Sequence, residues 1–212
     1  MTFDVGGTLL EPFPPVGQIY ADAAVAYGYP GFSADLLKQR FVAAWRKFDD
    51  FNYTRSAWAQ LVDATFEGLI EQLPSETFFP ELYERFARPE VWRVFPDVFP
   101  TLEKLGSAGV KLAIISNWDE RLRPLLHALR LASYFDPIII SCEVGCCKPS
   151  PGIFQTTADK LGLPPQEILH VGDNPENDAD GARAAGFQAC LLLRGSQTSG
   201  PGQIQSLDEL YG

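Results

Sequence analysis

The chain has 212 residues, 46% of them apolar, enough to bury a full core in one domain carrying an insertion. Its 27 acidic against 17 basic side chains leave a net charge of −10, which argues against nucleic acid or an anionic membrane as a partner. No apolar run is long enough to span a bilayer, and Met1-Thr2-Phe3-Asp4 reads as a first strand rather than a basic-then-apolar leader.

That strand runs into Phe3-Asp4-Val5-Gly6-Gly7-Thr8-Leu9-Leu10. A carboxylate followed by two glycines and a threonine suits a turn held close to an anion, with a nucleophile or metal ligand at its head. Asp-x-Gly-Gly-Thr also makes the phosphate-binding turn of sugar kinases, and an isolated Asp4 equally starts an ordinary turn. Helical spacing follows at 16–27, 34–48, 56–73 and 80–86, with no strand between about 14 and 93. Tyr20, Phe41, Trp45, Trp58, Phe66 and Tyr83 recur there at three- and four-residue intervals, as the core face of a helical bundle does. Placed directly after the first strand, this block is expected to form a lid over the strand ends, with proline-bearing hinges at 10–15 and 88–96. The predicted domains are a core of 1–13 with 94–212 and a helical cap of 14–93.

From residue 110 the texture changes. Short apolar runs at 111–116, 137–141, 168–172 and 188–193 read as buried parallel strands. Between them, 119–131, Pro151–Leu161 and 175–185 carry helical spacing and begin near Asp or Pro. Such a βαβ series predicts an α/β fold built on a right-handed, doubly wound parallel sheet (Rossmann-like), whose chemistry gathers at the carboxyl ends of its strands. A Gly/Ser/Thr loop at 195–202 precedes a short final helix. Cys142, Cys146, Cys147 and Cys190 show no recurring Cys-x-x-Cys spacing, which fits free thiols in the cytoplasm and not a zinc site.

Four segments then converge on one sheet edge. Asp4 is the one acidic residue of the first turn, a candidate nucleophile and metal ligand, with Thr8 offering a hydroxyl and an amide to a phosphate oxygen. Ser116-Asn117 ends a strand, where it either makes a turn or binds the same phosphoryl group, and Asp119 can cap the next helix. Lys148, in the loop before Pro149-Ser150-Pro151, is either a solvated charge or the cation that neutralises Asp4 and the phosphoryl oxygens. Asp173 and Asp178 follow an apolar strand; they read as a Mg²⁺ site or as helix-capping acids, the class to which Asp180 belongs.

In that order, with a helical insert after the first, the segments resemble the haloacid dehalogenase superfamily of hydrolases over nearly the whole chain. The most specific matches are Gly172-Asp173 through Asp178 with Asp180-Gly181-Ala182, and Glu143-Val144-Gly145 to Lys148-Pro149. The resemblance implies a four-helix cap and a Mg²⁺-dependent phosphatase of small phosphorylated molecules. It assigns nucleophile and metal roles to Asp4, phosphate binding to Thr8, Ser116 and Asn117, charge neutralisation to Lys148, and the Mg²⁺ site to Asp173 and Asp178.

Two departures stand out. Phosphatases of that family carry an acid/base aspartate two residues after the nucleophile; here the position is Gly6, whose carbonyl can bind metal but which cannot move a proton. Losing such a group lowers rates by about 10²–10⁴, least for acyl or aryl phosphates. Only three residues precede Asp4 where the family's strand usually has more, so a truncated or late-started chain with a weakened first strand is expected. Alternatives are a metal-free dehalogenase, a phosphonate-cleaving enzyme (which needs an inward cap lysine, Lys38 or Lys47) and a non-catalytic binding module. Tyr20, Trp45, Tyr53, Arg55 and Trp58 are candidates to face the substrate.

Overall fold

The computed structural model describes residues 1–48, 51–196 and 200–211. Strand β1 (Thr2–Phe3) leads through a turn into β2 (Leu10–Pro12). Helices α1 (Val16–Ala26), α2 (Ala34–Trp45), α3 (Arg55–Phe66) and α4 (Phe79–Arg85) come next, then β3 (Trp92–Val94). The chain continues with α5 (Val98–Ser107), β4 (Ala113–Ser116), α6 (Leu122–Ala128), β5 (Ile138–Ile140), α7 (Ser141–Val144) and α8 (Pro151–Leu161). It ends with β6 (Leu169–Gly172), a π-helical turn (Pro175–Asp180), α9 (Gly181–Ala184), β7 (Gln188–Leu192) and β8 (Gln203–Ile204). Two compact units result: Met1–Glu11 with Val94–Gly212, and Pro12–Arg93.

The first unit is an α/β layer built on a six-stranded parallel sheet in the order β5-β4-β1-β6-β7-β8. Both faces of the sheet are covered, so its strands are almost wholly apolar: Ile114, Ile115, Ile139, Ile140 and Val171 are buried. Strand β1 is only two residues long yet sits centrally, with Thr2 in register between Ala113 and His170 and Phe3 between Ile114 and Val171. The ends of β1, β4 and β6 therefore lie side by side. Helix α8 spans the predicted residues and stops at Gly162, whose positive φ of 64° closes it.

Several elements differ from expectation. Helix α5 was not anticipated, although Val98, Leu102 and Leu105 face the core at helical spacing. The helix expected over 119–131 shortens to α6, because Asp119 and Arg121 are held in a turn before it. The helix expected over 175–185 is a π-helical turn joined to α9. Asp180 makes no capping bond and pairs instead with Arg183 on the surface. The loop at 195–202 lies partly outside the described residues (197–199); after it, β8 adds an unforeseen edge strand, and the final helix is a 3₁₀ turn, Leu207–Tyr211.

The second unit is a helical bundle around Ile19, Tyr20, Leu37, Val62, Phe66, Phe78 and Leu82. Ser33 and Thr54 cap α2 and α3 by accepting the amides of Leu36 and Ala57. The apolar spacing after Phe66 does not continue the helix: Glu67 leaves helical geometry in a turn, with ψ at 124°, and Leu69 and Ile70 reach the core from irregular chain. The expectation of no strand before residue 93 is corrected by β3, a three-residue strand paired with β2. Tyr20 is 2% exposed and stacks on Phe66, which makes it a core residue and not a substrate contact. Arg55 lies over the Tyr83 ring and pairs with Glu84, while Lys38 and Lys47 are exposed.

A buried clamp ties the end of the first unit to its first turn. Asp97, just before α5, accepts both Arg194 guanidinium nitrogens (2.9 and 3.0 Å), the Ser206 hydroxyl and the Leu207 amide. Arg194 Nη2 also donates to the Thr8 carbonyl at 2.8 Å. Burial works against the Asp97 carboxylate, but the hydrogen bonds from Arg194 and Leu207 outweigh it and hold its carboxyl below the ordinary value. A depressed folded-state pKa gives stability that is present above the ordinary carboxyl value of 3.8 and disappears as pH falls through the folded value. Asp97→Asn is therefore expected to lower stability by about 1–3 kcal/mol at pH 7. Its deficit should narrow below about pH 4, where the wild-type carboxyl itself protonates. Denaturant unfolding of both proteins across that range checks it.

Candidate active site

The site assembles where β1, β4 and β6 end. Asp4 follows β1, and its amide bonds the Val171 carbonyl of β6 at 2.9 Å. Beyond it the turn closes through Leu9 N–H to Val5 O at 2.8 Å and Gly7 N–H to Leu10 O at 2.8 Å. Gly7 is required twice over: its φ is +79°, and a Cβ there would collide with the Asp173 carboxylate. Gly172 plays the same part under Asp178, whose carboxylate fills the space a side chain at 172 would need. Thr8 is fully buried and its hydroxyl donates to Asp173 Oδ1 at 3.3 Å.

Lys148 stands at the centre. Its ammonium is 2% exposed and donates to Asp4 Oδ1 at 2.6 Å and Asp178 Oδ1 at 2.5 Å. Asn117 holds the lysine's own backbone from both sides: its Nδ2 donates to the Lys148 carbonyl (2.9 Å) and its Oδ1 accepts the Lys148 amide (2.7 Å). These two bonds of the Asn117 amide group position Lys148. Ser116, the last residue of β4, is 1% exposed.

Asp4, Asp173 and Asp178 each present an oxygen within 4.8 Å of the others'. Burial, reinforced by the charges of Asp178 and Asp173, lifts the Asp4 carboxyl to about 7 against the pull of Lys148. Burial and Asp178 likewise raise Asp173 to about 6. Asp178 is the exception: burial opposes its charge, but Lys148 and His170 hold its carboxyl below the ordinary range. Burial also disfavours the charged Lys148 amine, yet Asp4 and Asp178 override it and raise its pKa.

Fully ionised, the three carboxylates and one ammonium carry two excess negative charges. Hard oxygen donors with that excess fit a divalent cation such as Mg²⁺. The sequence-predicted residues Asp4, Thr8, Ser116, Asn117, Lys148, Asp173 and Asp178 all fall at these three strand ends or in the loops that reach them, and Gly6 lies in the first turn.

Two neighbours went unread in the sequence. His170, on β6 and fully buried, lies between Thr2 Oγ1 (2.9 Å from Nδ1) and Asp178 Oδ1 (3.1 Å from Nε2). Burial lowers its pKa, which favours the neutral imidazole; the Asp178 carboxylate only accepts, so the contact at Nε2 is a hydrogen bond when that nitrogen carries the proton. A lone histidine inside an apolar strand gives no sequence signal of this, and only its register with Thr2 and proximity to Asp178 reveals it. The other is Trp118, directly after Asn117, whose ring edge lies 3.4 Å from where a Cβ on Gly6 would be.

Comparison with known proteins bears on the fold and the family. The family model of the haloacid dehalogenase-like hydrolases matches residues 1–186. Haloacid dehalogenase-like hydrolase domain-containing protein 3 of Mus musculus is 33% identical over 93% of this chain and 82% of its own length. The phosphoserine phosphatase of Thermus thermophilus is 28% identical over 95% of this chain and 91% of its own. Among solved structures, a HAD phosphatase from Thermococcus onnurineus superposes with a TM-score of 0.71 at 29% identity, covering 99% of this chain and 94% of that one. Among the described residues no helix is long and apolar enough to cross a membrane, and the four cysteines are free thiols.

The two Asn117 bonds give a direct test of how the lysine loop is held. Asn117→Ala is expected to lower stability by about 1–3 kcal/mol, since it leaves the Lys148 amide and carbonyl without their partners. Equilibrium urea unfolding measures the loss.

Proposed function

Because the chain belongs to the haloacid dehalogenase-like hydrolase family, we propose that it is a Mg²⁺-dependent phosphatase of small phosphorylated metabolites acting through an aspartyl-phosphate on Asp4. The observation that carries this reading is the buried Lys148 ammonium joined to Asp4 and Asp178 beside Asp173. A pair of carboxylates shaped for a cation favours phosphoryl chemistry over a metal-free dehalogenase. The phosphatases among the relatives support the same substrate class.

In this reading an Asp4 oxygen attacks phosphorus while the bond to the leaving oxygen breaks, and that oxygen departs with the electron pair. Water then attacks the phosphorus of the aspartyl-phosphate, releasing inorganic phosphate and restoring the carboxylate. Lys148 offsets charge on Asp4 and the phosphoryl oxygens, and Thr8, Ser116 and the strand-end amides around it orient the phosphate. His170 keeps Asp178 ionised and aimed. Asp4, Asp173, Asp178 and the Gly6 carbonyl would hold Mg²⁺, which supplies further charge neutralisation to the phosphoryl group. Gly6 has no side chain to protonate a leaving group, so we expect alkyl phosphates to be poor substrates. The helical unit, Pro12–Arg93, is proposed as the cap that selects among substrates.

Two measurements test the reading. With Mg²⁺, the protein is expected to hydrolyse p-nitrophenyl phosphate, and Asp4→Asn to lose at least about 10³ of that rate. No turnover in either protein would replace this reading with a phosphate-binding module, and equal, measurable rates in the two would remove Asp4 as the nucleophile. Mg²⁺ at about 100 times its dissociation constant should stabilise the fold by about 2.7 kcal/mol. Asp173→Asn should remove most of that gain in a thermal-shift titration; an undiminished gain would put the cation elsewhere.

A further inference from the structure

We propose that Trp118 determines which leaving group the site accepts, its indole presenting an aromatic edge beside Gly6 that favours aryl over alkyl phosphates. The inference rests on the phosphatase reading above and adds to it a residue and a substrate class.

The geometry is specific. Trp118 Cζ3 stands 3.4 Å from the Cβ position of residue 6, so the direction in which a side chain at 6 would project is lined by an indole edge. Both residues lie beyond the strand ends that carry the chemistry: Gly6 two positions after Asp4, Trp118 two after Ser116. In-line displacement sets the leaving oxygen opposite the attacking one, on the far side of phosphorus from Asp4. Groups that project past the nucleophile from adjoining strand ends therefore flank the leaving group. Here those groups are a glycine and an indole, neither of which is an acid able to protonate an alkoxide.

The main chain that carries the ring is also held in place. Ser141, itself 2% exposed, accepts the Trp118 amide at 3.0 Å and donates to the Trp118 carbonyl at 3.0 Å. The Cys142 amide reaches the same carbonyl at 3.3 Å. On one side Asn117 is fixed to the Lys148 backbone; on the other, buried Asp119 is paired in fork geometry with Arg121. A half-buried tryptophan anchored at its own backbone and at both neighbours presents a preorganised aromatic edge, of the kind that meets an aromatic ligand edge to face. A leaving group that is aromatic and weakly basic satisfies both constraints at once: it offers a face to that edge, and it departs as an oxyanion without a proton.

The test compares kcat/KM for p-nitrophenyl phosphate and ethyl phosphate, with Mg²⁺, in the wild type, Trp118→Ala, Trp118→Leu and Asp4→Asn. The aryl-to-alkyl ratio is expected to fall about tenfold in Trp118→Ala, the loss of one aromatic contact. Trp118→Leu keeps apolar bulk without a ring and should show a similar fall, which decides the matter should the alanine variant melt early. A ratio unchanged in a variant that melts like the wild type, with turnover still lost in Asp4→Asn, overturns the role of Trp118 alone. No turnover of either ester by the wild type overturns this inference together with the phosphatase reading.

Discussion

A single buried ammonium organises the first unit. Lys148 touches Asp4 and Asp178 at once, and the three charges are nearly removed from water. Ions so placed are tolerable only when geometry and hydrogen bonding are close to complete. Much of the surrounding construction meets that demand. Asn117 fixes the lysine's main chain, His170 and the Asn174 amide take up the remaining bonding of Asp178, and Asp4 is pinned by its amide to β6. The pairing of β1 with β6, short as β1 is, follows: parting those two strands would separate Asp4 from Asp178.

A second constraint is the room these carboxylates need. Asp173 fills the space beside Gly7, and Asp178 fills the space above Gly172. In both places a carboxylate stands where a neighbouring side chain would otherwise be. Burial, with the mutual repulsion of the crowded acidic groups added to it, raises two of their pKa values. The glycines of the two motifs are therefore part of the electrostatics as well as of the turns.

The parallel sheet and the grouping of its strand ends were legible because buried strands such as Ala113–Ser116 and Leu169–Gly172 are apolar, short and bounded by polar residues or glycine. Helix α8 was read to the residue since Pro151 and Gly162 punctuate both its ends. Where such punctuation was missing, reading failed. Apolar residues after Phe66 keep helical spacing although the chain has left the helix, and β2, β3 and β8 are two or three residues long, too short for any periodicity. Lys148 read either as a solvated loop charge or as the counter-ion of Asp4; its burial depends on Asp4, 144 positions away, together with Asn117 and Asp178, 31 and 30 positions away. His170 and Trp118 owe their places to register across strands and to neighbouring loops, which a linear pattern does not encode.

The order of the sheet also bears on how the protein is made. Strand β1 leaves the ribosome well before the residues it pairs with, Ala113–Ile114 and His170–Val171, which are more than a hundred positions downstream. The helical unit, with its own core of local packing, is complete long before that. The leading strand therefore has no partner until β4 emerges, and is paired on one side only until β6 does. Asp4 finds its counter-charge only after Lys148 is synthesised, so the reactive centre is among the last features to form during translation.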